Sequence, residues 1–148
     1  MQPAGEIIWW LGGDIGRVQV SLRIFGDDLD PTSVSALLDS PPTRSYCKGE
    51  VIPGVRTHRT ASTGVWILQG DEQGDGNLEE RIHRLLDGVS AASAAWTALA
   101  PYRKDVFCGL HLNAWNQGCS LSSVLLERLG ERGLTLDLDI YGDGWTDE

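Results

Sequence analysis

Arg17-Val-Gln-Val-Ser-Leu-Arg-Ile-Phe25 alternates without a break. Val18, Val20, Leu22 and Ile24 point one way, and Gln19, Ser21 and Arg23 the other. A period of two held over this length predicts a half-buried strand. The same alternation returns at the far end of the chain, where Leu134, Leu136, Leu138 and Ile140 interleave with Thr135, Asp137, Asp139 and Tyr141. A third strand is expected over 105–113, with Val106, Cys108, Leu110 and Leu112 on one face. These segments predict one sheet with a helix-facing side and a water-facing side. Val18, Val20, Leu22, Ile24, Cys108, Leu110, Leu136 and Leu138 are the expected core positions.

Helical spacing fills the intervals. Asp30 stands as an N-cap before Pro31, with Val34, Leu37 and Leu38 as a short apolar face and Pro41-Pro42 as the stop. Strands are expected over 43–49 and 64–69. After a polar loop over 70–76, Asn77 with Glu80 three residues on has capping-box spacing, and Leu78, Ile82, Leu85, Leu86 and Val89 share one face. An alanine-rich stretch up to Pro101 adds a second helical piece. Ser120 or Ser122 opens a further helix bearing Leu125, Leu126 and Leu129, with Gly133 as its stop.

The order is βαββαβ followed by αβ. The expectation is an α+β fold: a ferredoxin-like βαββαβ core with an additional αβ unit, one largely antiparallel sheet, and helices on one face. The organisation expected is a docked N-terminal extension over 1–16, a single domain over 17–142 and an acidic tail over 143–148.

At 148 residues the chain has the length of one domain with one core. A formal charge of −9 repels phosphate backbones and argues against a nucleic-acid partner. Ile7-Ile8-Trp9-Trp10-Leu11 follows Glu6, has no basic leader, and is too short to cross a bilayer, so no membrane role is expected. Cys47, Cys108 and Cys119 show no paired spacing, which points to a reducing, cytoplasmic setting.

Several strings resemble one family. They are Val20-Ser-Leu-Arg-Ile-Phe-Gly-Asp-Asp-Leu-Asp-Pro31, Pro42-Thr-Arg-Ser-Tyr-Cys-Lys-Gly49, Gly64-Val-Trp66 and Leu78-Glu-Glu-Arg-Ile82. The most specific are Val106-Phe-Cys-Gly-Leu-His-Leu-Asn113, Trp115-Asn116, Ser120-Leu-Ser122 and Leu134-Thr-Leu-Asp-Leu-Asp-Ile-Tyr141. Together they resemble the bacterial domain-of-unknown-function family 4279 over roughly residues 18 to 141, with Ala114 departing from an expected glycine. The resemblance implies a bacterial source and no particular activity.

No cofactor and no metal are expected. Asp71-Glu-Gln-Gly-Asp-Gly76 begins like a calcium loop, but Gln73 and Ile82 stand where ligands are needed. Cys108 and His111, three apart on a strand, diverge to opposite faces. The water-facing side is the candidate site. Arg23, His111, Asn113, Asp137 and Asp139 are expected to share it, with Trp115 beside them as an interface aromatic. An exposed ion pair between Arg23 and a carboxylate is expected to contribute only ~0–1 kcal/mol. A solvated face with cross-strand pairs would carry the same residues.

These features favour a non-catalytic binding module for a protein partner or a small polar ligand. One version is an immunity-type protein that neutralises a basic partner. The alternatives are a small enzyme using His111 with Arg23 or Asp137, and a subunit of a homo-oligomer.

Overall fold

The strand read first from the sequence occupies the middle of the sheet. In the computed structural model, which describes residues 11–54, 56–71 and 76–142, β1 (Arg17–Gly26) has a partner along each edge. The chain continues through α1 (Pro31–Leu38), β2 (Arg44–Tyr46), β3 (Val51–Ile52), β4 (Arg59–Thr60) and β5 (Gly64–Gln69). It then runs through α2 (Leu78–Asp87), α3 (Ser93–Ala98), β6 (Arg103–His111), α4 (Ser123–Glu131) and β7 (Thr135–Tyr141). The main sheet has the order β2-β5-β1-β6-β7. Its first three pairings are antiparallel, and β6 with β7 is parallel. That parallel pair needs a crossover, which α4 supplies.

The helix starts are those the sequence marks. Asp30 accepts from the Thr32 amide and the Ser33 hydroxyl, Asn77 and Glu80 form a complete capping box, and Ser122 accepts from the Leu125 amide. Trp96 and α3 are anchored by an indole bond to the Ser90 carbonyl at 2.8 Å. Leu22, Ile24, Val34, Leu38, Trp66, Ile82, Leu86, Val106, Cys108 and Leu125 form one core with residues from all four helices on one side of the sheet. Burying side chains of this kind contributes roughly 1.5–3 kcal/mol each.

Four details depart from expectation. A separate hairpin of β3 and β4 follows β2, each strand only two residues long and so below any readable period. The second strand stops at Tyr46, because the chain turns through Gly49 at φ 88°. β6 runs from Arg103 to His111 where 105–113 was expected, which brings Arg103 and Lys104 into the sheet and leaves Asn113 beyond it. Leu138 is 45% exposed, since β7 is an edge strand whose burial is confined to its first half. Val18 and Leu136 are partly buried against the core, and the other five expected positions are buried.

Of the N-terminal extension, residues 11–16 fall within the described part: Gly13 bridges Gln117, and Ile15 packs on the core. Trp9, Trp10, Trp145, the tail over 143–148 and residues 72–75 of the calcium-like loop lie outside the described residues. No helix among the described residues is long and apolar enough to cross a membrane.

Candidate functional site

The side of the sheet away from the helices is built by odd-numbered residues of β1 and β6. Arg23 stands opposite Asp105 in their register. Its Nε donates to Asp105 Oδ1 at 2.8 Å and a terminal nitrogen donates to Oδ2 at 2.7 Å. This fork-on-fork geometry is the strong form of an arginine–carboxylate pair. Asp105 is only 1% exposed, whereas the Arg23 side chain keeps 25%. The guanidinium carbon also lies 4.4 Å from the Phe107 ring centroid and 5.3 Å from that of Phe25. Arg103 covers Phe25 at 5.6 Å. A guanidinium held by two bonds and two rings loses little freedom when something binds against it.

From the neighbouring strand, Asp137 comes within 3.8 Å of the same guanidinium nitrogen and stays 41% exposed. The two carboxyls are pushed in opposite directions. Burial raises the Asp105 carboxyl, but the hydrogen bonds with Arg23 and Asp137 and the charges of Arg23 and Arg103 together outweigh it and hold it below the usual carboxylate range. Asp137 is pushed up by its hydrogen bond with Asp105, then by burial and by the Asp105 charge, with Arg23 opposing. The Asp105 bond in turn raises the Arg23 guanidinium.

Beside this cluster the sheet is hollowed. A recess of about 250 Å³ is lined by Gln19, Ser21, Arg23, Arg44 and Phe107, among others. It shares Arg44 and Ile67 with a second recess of about 530 Å³, walled by Phe25, Tyr46, Ile52, Pro53 and Arg59. The β3–β4 hairpin therefore turns an open face into a trough with arginines along it.

The expected site residues separate into two groups. Arg23 and Asp137 meet at the trough. His111 lies at the other end of β6, stacked on Tyr141 with centroids 4.5 Å apart and planes 7° from parallel. The Tyr141 hydroxyl donates to Asp139 at 2.7 Å, and that bond raises the phenol. From Asp105 to His111 is six residues of strand, about 20 Å. Asn113 is tied to Gln117, which accepts from its backbone amide at 2.8 Å and donates to its side-chain oxygen at 2.6 Å. Trp115 is 89% exposed in the loop beyond, and lines neither recess. Among the described residues, no three or more His, Cys, Asp or Glu side chains are gathered as a metal would need.

Asp105, Phe25, Phe107 and Arg44 are the residues that sequence reasoning missed. The alternation of the strand expected over 105–113 already puts Asp105 and Phe107 together on the face opposite Val106. Arg44 and Tyr46 alternate about Ser45 in the same way.

No curated protein and no solved structure matches this chain. A family model does, described as a domain of unknown function, and its match runs over residues 16–143. That span takes in every strand from β1 to β7 and the whole of the trough, so the chain belongs to the DUF4279 family.

Proposed function

We propose that this domain is a non-catalytic binding module whose partner or polar ligand lies on the uncovered face of the main sheet. The observation that carries this reading is the locked Arg23 guanidinium at the edge of two adjoining recesses. Rigid aromatic and arginine side chains are what binding surfaces use as anchors. The order β2-β5-β1-β6 supports a ferredoxin-like core, with β7 as an added edge strand. A protein partner of basic character, as for an immunity-type protein, would meet Asp137 and Asp139 on the β7 side and the net charge of −9. Three unpaired cysteines fit a cytoplasmic setting. The enzyme alternative draws no support from the geometry, because His111 stands about 20 Å along the strand from the Arg23–Asp105 pair.

The test is quantitative co-purification from the native host with three baits. These are wild type, Arg44→Glu combined with Asp139→Lys on the open face, and Glu127→Lys on the exposed side of α4. A partner retained by wild type and Glu127→Lys but lost from the double variant supports the reading. Equal retention by all three, or no partner with any, overturns it.

A further inference from the structure

On the helix side of β6 the alternation calls for an apolar residue at position 104, and a lysine stands there. Lys104 is 6% exposed. Its ammonium reaches the Leu99 carbonyl at 3.3 Å and the Tyr102 carbonyl at 3.4 Å. Both contacts are longer than an ordinary N–H···O bond, and an ammonium has three hydrogens to place. A second cation stands close by. Arg132 lies 5.7 Å over the Trp96 ring and donates from one terminal nitrogen to the Arg128 carbonyl at 3.1 Å, but its buried Nε has no partner. Among the described residues neither cation is ion-paired.

These two side chains line one cavity of about 650 Å³, together with Trp96, Thr97 and Thr135. That is the size of a small-molecule site. Arg103 also lines it, and the single acid in the lining, Glu131, is exposed. Burial lowers both cations from their ordinary values; for Arg132 the Arg128 charge adds to it, and the charges of Glu131 and Asp87 offset it only in part. Closing the last carbonyls of α3 is a task a lysine can perform at a helix end. It accounts for the two long bonds of Lys104. It accounts for neither the orphaned Nε of Arg132 nor the cavity between them.

We propose that the cavity between α3, the end of α4 and the start of β6 binds a small organic oxyanion. A phosphate monoester or a carboxylate would set its charge between Lys104 and Arg132 and its apolar body against Trp96. This site is on the opposite side of the sheet from the trough and does not depend on it.

The test titrates phenyl phosphate and, separately, benzoate into the full chain, read by calorimetry and indole fluorescence. Saturable one-to-one binding of at least one probe is expected. Lys104→Met and Arg132→Gln should each weaken it about tenfold or more, as losing a charge-assisted bond does. Arg44→Gln, across the sheet, should leave it unchanged. Without ligand, Lys104→Met should melt no lower than wild type, because it removes a buried cation that has two long carbonyl bonds and no ion pair. Arg132→Gln alone decides the question if Lys104→Met does not fold. No saturable binding of either probe overturns the proposal, and so does equal binding by the variants. A lower melting temperature for Lys104→Met with binding intact would leave Lys104 a helix cap only, and would also overturn it.

Discussion

Arg23 and Asp105 face each other across the β1–β6 ladder, and their paired bonds cover Asp105 almost completely while a quarter of Arg23 remains in water. The pair is therefore asymmetric. Losing the arginine strands a carboxylate inside the protein, whereas losing the aspartate leaves a cation that water can reach.

That asymmetry predicts that Arg23→Ala destabilises the fold by about 3 kcal/mol, the lower end of the range for breaking a buried pair. This exceeds the ~0–1 kcal/mol expected of an exposed pair. Replacing both partners, Arg23→Met with Asp105→Leu, should recover most of the loss. Urea unfolding measures both. A single variant as stable as wild type would contradict the burial of Asp105.

The two carboxyls predict an acid profile. Asp137 has a raised value, so the native state holds its proton where the unfolded chain has released it. Its contribution therefore falls as pH rises from the ordinary carboxylate value through the raised one. Asp105 has a lowered value, so its contribution is present above the ordinary value and disappears as pH falls through the lowered one. Asp137→Asn should flatten the first window and leave the second. Melting temperature followed from neutral to acid pH for both proteins checks this, and parallel curves would refute it.

Leu22→Ala, at 0% exposure, should cost roughly 2–5 kcal/mol. Leu138→Ala, at 45% exposure on the same side of the sheet, should stay within about 0.5 kcal/mol of wild type. Denaturant midpoints compare the two, and a large loss at Leu138 would mean that β7 is covered in solution.

Thiol chemistry gives a fourth outcome. Cys108 is fully buried and its thiol is pushed up to about 12, chiefly by burial, while Cys47 is exposed. Iodoacetamide on the native protein should label Cys47 and spare Cys108 until urea is added. Mass spectrometry of the peptides reads the difference directly, and native labelling of Cys108 would be inconsistent with the core.

Elements long enough to show a period were legible in the sequence. β1, the β6 face and α2 each repeat their pattern several times, and the caps at Asp30, Asn77 and Ser122 mark local chemistry that needs no distant partner. The β3–β4 hairpin was not legible, because two residues cannot show a period. Leu138 was misread because alternation reports which side a residue faces, and not how far burial extends along that side. The site was half legible for a related reason. Arg23 and Asp137 were placed on the right face. Their distance from His111 depends on register along the strands, and so does the pairing of Arg23 with Asp105, the first residue of the strand expected over 105–113.

The central position of β1 has a consequence in time. Its two neighbours in the sheet come much later in the chain, and the Arg23–Asp105 bond closes a separation of 82 residues. During synthesis from the N-terminus, β1 emerges first and stays unpaired along both edges until β5, and then β6, have followed. Apolar residues such as Leu22 and Ile24 are uncovered over that interval. Long closures of this kind slow folding and leave strand edges open to wrong partners. Growing chains that end before Arg103 should therefore depend on chaperones more than chains long enough to include β6.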